Sequence, residues 1–283
     1  MIVMSYHIVS IDSPQCSLSC RDGQLTCKTA EGEKKLPLED VASIIITSFS
    51  ANIHSQLFLE AAKHGVALII CEAFKPVSLV LPANRSTDTL LSRAIVTMSP
   101  QVKAALWMKT VDAKCENQLA LARFVAPEDM RLAGMETTAR GKKAHKEAIC
   151  AKTFWGIIGD ALGEGEFTRE RNSGGLNNLL NYGYAVLLST VLQKLFGVGL
   201  DPTFGMAHMP RERSTPLAYD LMEPFRPCVD WRVIQWMRQG EGGGRLEVTK
   251  EFRKWVTGFP LVQVEHLNFT LEIQGVIEGV VRG

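Results

Sequence analysis

Over roughly the first eighty residues the apolar positions come in short runs; beyond that they recur at helical spacing. Ser43-Ile44-Ile45-Ile46-Thr47 and Val66-Ala67-Leu68-Ile69-Ile70-Cys71 are β-branched runs, short enough to predict buried strands. Leu18 to Thr29 encloses Arg21-Asp22-Gly23, and Asp-Gly between apolar-polar runs predicts a hairpin, because both residues accept the positive φ of a tight turn. Ile53, Leu57, Phe58, Ala61 and Ala62 repeat every three or four positions and predict a helix that Gly65 ends. Pro76 to Leu81 predicts a further strand.

The pattern changes at Pro82-Ala83-Asn84-Arg85-Ser86-Thr87-Asp88, a polar stretch opened by a proline and the best linker candidate in the chain. Beyond it Trp107, Val111, Cys115 and Leu119 fall four apart, as do Leu176, Leu180 and Tyr184, which predicts amphipathic helices. The expected division is a β-rich domain over 1–88 followed by a helical domain over 89–283. Gly240-Glu241-Gly242-Gly243-Gly244 lacks the lysine and hydroxyl residue of a phosphate-binding loop and reads as a connection between helices.

Composition narrows this picture only a little. Hydrophobic content of 46% and charged content of 22% are those of a globular chain, and the net charge of +1 announces no polyanionic partner. Local basic patches could still hold phosphates. The seven cysteines are odd in number and form no Cys-x-x-Cys pair, so they are expected to be reduced and buried, as in the cytoplasm, rather than to bind structural zinc. No apolar stretch approaches the roughly 20 residues of a membrane span, and the start of the chain does not read as a signal peptide.

Four places could carry chemistry. Glu147 precedes the apolar stripe Cys150, Ala151, Phe154, Ile157 and Ile158 of a helix expected over Gly141–Ala161, and projects from the same face. It is either paired, hydrogen-bonded or metal-bound, or it escapes to solvent at the helix start. Asp220 and Glu223 lie one turn apart in the apolar stretch Ala218–Pro227, and like charges on one face suggest a cation beside them, or else a solvated face partnered by Arg226. His208 lies in an apolar loop and is open to a structural or a ligating role. Asn177 and Asn181 share a face with Tyr184, so they either build a hydrogen-bond network or line a site.

These segments, taken in order, resemble the CRISPR-associated adaptation integrase and endonuclease family. The resemblance is carried by Leu106-Trp107 with Asn117-Gln118 and by Glu147-Ala148-Ile149-Cys150-Ala151-Lys152-Thr153-Phe154-Trp155. It continues through Asn177-Asn178-Leu179-Leu180-Asn181-Tyr182-Gly183-Tyr184, Gly199-Leu200-Asp201-Pro202 leading to His208, and Tyr219-Asp220-Leu221-Met222-Glu223-Pro224-Phe225-Arg226-Pro227. Gly174-Gly175 stands where the family often has Asp-Pro, and Ala148 where it commonly has glycine.

The resemblance implies an α+β chain, with a small N-terminal β-sandwich-like domain followed by a larger all-α catalytic domain. It implies that Glu147, His208 and Glu223 bind a divalent cation, Mg²⁺ or Mn²⁺, with Asp220 an acidic neighbour in the catalytic group. It further implies insertion of short foreign DNA fragments into the CRISPR array, in a homodimer joined to a small second adaptation subunit, with double-stranded prespacer and repeat DNA as substrates and effector proteins as further possible partners. Arg140, Lys142, Lys143, Lys146 and Lys152 around Glu147, with Arg211, Arg213 and Arg226 near the other two ligands, are the expected phosphate contacts.

Overall fold

In a computed structural model the described residues are 7–81, 89–142, 145–165, 167–208, 214–239 and 246–283. The expected linker at Pro82–Asp88, the glycine run at Gly240–Gly244, and Lys143, Arg211 and Arg213 lie outside them. The chain separates into two compact units, one of Met1–Ile95, Ala185–Pro202 and Thr257–Gly283, the other of Val96–Tyr184 and Thr203–Val256.

The first unit opens with β1 (His7–Ile11), β2 (Ser17–Arg21), β3 (Gln24–Thr29), β4 (Gly32–Pro37), β5 (Val41–Ile46) and the two-residue β6 (Asn52–Ile53). Then follow α1 (Ser55–Lys63), β7 (Ala67–Glu72), β8 (Lys75–Val80) and α2 (Thr89–Thr97). The strands form two four-stranded sheets, ordered β1-β5-β7-β8 and β4-β3-β2-β6. Parallel pairing of β1, β5 and β7 explains why Val41–Ile46 is buried along its whole length. The predicted hairpin joins β2 to β3 through Asp22 (φ 52°) and Gly23 (φ 72°), the left-handed pair that a two-residue turn requires.

Leu18, Leu25, Ile44, Leu57, Ala61 and Leu68 meet in one apolar core, which makes this part sandwich-like with α1 closing it. The predicted helix over 53–65 is shorter than its apolar spacing suggested. Ile53 pairs as a strand with Leu18, and Gly65 (φ 69°) ends the turn after α1.

The second unit is helical. It contains α3 (Pro100–Val125), α4 (Arg131–Arg140), α5 (Lys146–Leu162) and the start of α6 (Leu176–Val198). After these come α7 (Pro216–Met222), a 3₁₀ turn over Glu223–Phe225, α8 (Arg226–Gln239) and α9 (Lys250–Thr257). The long α3 is capped by Ser99, whose hydroxyl accepts the Val102 N–H, with Pro100 in its first turn. It packs against α4, α5, α8 and the 3₁₀ turn, and buries Val111, Cys115, Leu119, Ala122 and Val125. The helix expected from Gly141 begins only at Lys146, after His145 in the left-handed region (φ 60°), so Glu147 stands in the first turn.

The expectation of an all-α remainder is corrected at the C-terminus. There β9 (Gln263–His266) and β10 (Phe269–Glu272) form a hairpin before α10 (Ile273–Arg282). Leu267 (φ 50°) and Asn268 (φ 65°) make its turn, and four-residue strands are too short to show a period of two. All seven cysteines are free thiols, and burial pushes Cys71 and Cys115 up to about 12. No helix among the described residues is long and apolar enough to cross a membrane.

Ile44 lies at the centre of β5 and is wholly buried. Ile44→Ala is expected to lower unfolding stability by about 2–5 kcal/mol, read as a lower urea midpoint at unchanged slope.

Candidate active site

Glu147 and Glu223 come from distant parts of the chain and meet on one positive charge. The ammonium of Lys114, on α3, donates to Glu147 Oε1 at 2.6 Å and to Glu223 Oε2 at 2.6 Å. The two carboxylate oxygens therefore lie no further apart than twice that distance. The side chains of Lys114 and Glu223 are 12% and 6% exposed, and that of Glu147 is 35% exposed. Glu147 thus takes neither extreme its position allowed, being paired and half-buried at the same time.

The other oxygen of Glu223 is held separately. Arg226, one helical turn on, donates from Nε to Glu223 Oε1 at 2.7 Å, and its guanidinium stacks on the Tyr184 ring 4.5 Å from the centroid. Burial alone would push the Glu223 carboxyl up, but Arg226 and Lys114 outweigh it and hold the carboxyl down at about 2. Burial likewise works against the Lys114 ammonium, yet Glu223 and Glu147 raise its pKa. Behind Arg226, the Tyr184 hydroxyl donates to Asp230 Oδ1 at 2.6 Å. Burial pushes the Asp230 carboxyl up to about 7 against the opposing pull of Tyr184, Arg169, Arg226 and Lys114.

Asp220 and Glu223, whose spacing suggested a cation between or beside them, have separate partners within the protein. Glu223 is taken by Lys114 and Arg226, and Asp220 by the loop that precedes it. Asp220 is fully buried, and its Oδ2 accepts the backbone N–H groups of Met206 at 2.5 Å and Ala207 at 3.1 Å. Its Oδ1 accepts the His208 N–H at 3.1 Å and lies 2.7 Å from His208 Nδ1. A carboxylate accepts, so Nδ1 carries a proton, and the neutral ring presents its lone pair at Nε2. Gly205 lets the 203–208 loop come this close: a Cβ there would meet His208 O at 2.7 Å and Asp220 Oδ2 at 3.0 Å. The His208 ring rests edge-on against Trp107, 5.8 Å between centroids. Trp107 lies two helical turns before Lys114, on the same side of α3.

The structure therefore assembles two pairs, Glu147 with Glu223 and His208 with Asp220. Among the described residues no group of three His, Cys, Asp or Glu is close enough to hold a metal ion. The first pair nonetheless suits a hard cation, since two carboxylate oxygens already converge on one positive charge.

Asn177 and Asn181 resolve toward a network. Arg169 donates from Nη1 to Asn177 Oδ1 and from Nη2 to Asn181 Oδ1, both at 2.7 Å, and the Asn181 amide donates to Arg171 O at 3.0 Å. Three of the expected phosphate contacts are already engaged within the protein. Lys146 is buried against Asp112 and the Ala139 carbonyl, Arg140 pairs with Glu136, and Arg226 is committed to Glu223. Lys142 and Lys152 are exposed.

Sequence reading missed Lys114, Arg169 and Asp230. Lys114 had a signal: it falls three after Val111 and seven after Trp107, on the edge of an apolar stripe where a lysine needs a partner. Arg169 lies in a loop with no periodicity to mark it, and Asp230 looks like any helical acid.

Comparison with known proteins decides the family. A model of the family described as CRISPR associated protein Cas1 matches residues 9–249. The chain belongs to this family. A relative named CRISPR-associated endonuclease Cas1, from Neisseria meningitidis serogroup C (strain 8013), is 33% identical over 91% of this chain and 82% of its own length. Among solved structures, a casposase bound to integration product has a TM-score of 0.79 at 23% identity, over 98% of this chain and 89% of that one. A Cas6-RT-Cas1–Cas2 complex matches at TM-score 0.78 and 14% identity, over 100% of this chain and 35% of that one. At these identities the likeness of both structures is one of fold. Family membership places the chain among the CRISPR-associated Cas1 enzymes, of the endonuclease class, as its motifs led one to expect.

Asp230 holds its proton more tightly in the folded chain than a free aspartate does. Its contribution to stability is complete below about pH 4 and is lost as the pH rises through about 7. The stability of the wild type relative to Asp230→Asn is therefore expected to fall across that window in urea titrations. A difference independent of pH would show that Asp230 is ionised throughout.

Proposed function

We propose that the chain joins short DNA fragments to a CRISPR array by metal-dependent phosphoryl transfer, with Glu147, His208 and Glu223 holding the divalent cation. The observation that carries this reading is the convergence of Glu147 and Glu223 on one buried positive charge. Two carboxylates and an imidazole are donors suited to Mn²⁺ and acceptable for Mg²⁺. Bound there, such a cation would polarise a phosphoryl oxygen and neutralise charge that develops on it.

The remaining work belongs to the chain. Asp220 fixes the His208 tautomer so that Nε2 is the free donor atom, the arrangement by which supporting carboxylates tune a ligating histidine. Arg226 keeps Glu223 ionised and oriented, with Tyr184 and Asp230 behind it. Exposed Lys142 and Lys152, on either side of Glu147, are available to DNA phosphates. In the joining step a DNA 3′-hydroxyl attacks a phosphodiester, forming a new P–O bond while the original P–O bond breaks. Water in place of the hydroxyl gives cleavage, so one site serves both activities.

Double-stranded prespacer and repeat DNA are the substrates of this reading. A homodimer, with a small second adaptation subunit bridging dimers, is the working assembly, and the cytoplasm is its setting. The fold match to a complex containing Cas2, and to a casposase carrying its integration product, supports both substrate and partner. Residues 1–88 would then form the N-terminal domain and 89–283 the catalytic one.

The test is joining of a linear donor to a repeat-containing plasmid in Mn²⁺ or Mg²⁺, with and without the small subunit. Glu147→Ala, His208→Ala and Glu223→Ala are each expected to abolish joining. Asp220→Asn, which only supports a ligand, should cost about 10–100-fold. Robust joining by any of the three alanine variants removes that residue from the assignment, and cleavage without joined product would make the protein a plain nuclease.

A further inference from the structure

Lys114 has no part in the function proposed above, yet it sits at its centre. A lysine that merely decorates a helix keeps its charged head in water and lays its stem on the protein. Here the head is the buried end. Its ammonium is enclosed with the side chain 12% exposed and spans the two carboxylates from which a metal would be held.

The two oxygens of Glu223 have different kinds of partner. Oε1 receives Arg226, which is stacked on Tyr184 and backed by the Tyr184–Asp230 hydrogen bond. That contact is held by the stack on Tyr184. Oε2 receives Lys114, a compact point charge on a flexible four-carbon stem. A divalent ion lies about 2.0–2.2 Å from a carboxylate oxygen. An ammonium already 2.6 Å from the same oxygens of Glu147 and Glu223 cannot remain beside it without severe repulsion between the two charges. The two cations exclude each other.

We propose that Lys114 is an exchangeable counter-cation, which holds Glu147 and Glu223 together in the metal-free protein and yields their facing oxygens when a divalent ion binds. This rests on the metal-binding role assigned to those two carboxylates. Exchange gives the shared ammonium a purpose: it keeps a buried and a half-buried carboxylate side by side until a divalent ion takes its place. It also makes loading a competition, so the native affinity for the ion is weaker than the bare carboxylates would give.

The test compares wild type, Lys114→Met and Lys114→Gln as full chains, by thermal melting in EDTA and in MnCl₂ and by calorimetric titration with Mn²⁺. Both variants should melt below wild type in EDTA, because two carboxylates lose their shared partner. Both should gain more from Mn²⁺ than wild type does and bind it about tenfold more tightly or better. Lys114→Gln keeps a hydrogen-bond donor and covers the case in which the methionine variant does not fold. Wild type that binds Mn²⁺, with variants that bind it no more tightly, overturns the exchange and leaves the metal site standing. Wild type and both variants that bind no Mn²⁺ overturn the metal assignment, and the exchange with it.

Discussion

Two carboxylates brought from distant parts of a chain into a partly closed site must share a positive charge, or one of them must take up a proton. That constraint organises the helical unit. Breaking a buried pair by removing one partner costs about 3–5 kcal/mol, because the remaining charge has no water to turn to. Lys114 answers the constraint by reaching both acids at once. Its position follows from α3, the long helix on which α4, α5, α8 and the 3₁₀ turn all pack. Glu147 stands in the first turn of α5 and Glu223 starts the 3₁₀ turn, so the packing that fixes these elements against α3 also fixes the acids on the ammonium.

Around this centre the polar groups divide by how firmly they are held. Arg226 is stacked, ion-paired and supported from behind by Tyr184 and Asp230, which makes it a permanent part of the scaffold. Asp220 receives three backbone N–H groups and one imidazole, so its lone pairs are spent on shaping the His208 loop. Arg169 ties the 168–171 segment to Asn177 and Asn181. Each of these groups has its hydrogen bonds directed inward. Glu147 alone of the acids keeps about a third of its surface in solvent, and the exposed lysines 142 and 152 lie on either side of it in sequence, which is the arrangement expected where a polyanion approaches.

Much of this was legible in the residues. The β-rich start, the Asp22-Gly23 hairpin, the buried runs at Ile44 and Leu68 and the helical texture of the middle all follow from period and turn chemistry, which are local. The family was also legible, because several short blocks in a fixed order are specific where each alone is not. Local reasoning failed where partners come from elsewhere in the chain or a helix starts late. Asp220 and Glu223 seemed to share a cation, and each is taken by different groups; Gly141 seemed to start a helix that His145 delays. It failed again for the basic residues, since a lysine that reaches phosphate and a lysine that reaches a neighbouring carbonyl look identical in sequence. The C-terminal hairpin escaped notice because its strands are too short to establish a period.

By itself the sequence determined which segments could be buried strands or amphipathic helices, and which acidic and imidazole side chains stand next to apolar faces. Propensity, period and turn residues act over a few positions, so a single chain read from end to end contains them. Only the tertiary structure decided who partners whom: Lys114 with Glu147 and Glu223, Asp220 with His208, Arg226 with Tyr184. Those pairings depend on distances between residues up to 109 positions apart, set by how helices pack on α3, and on the removal of water that makes each charge require a partner.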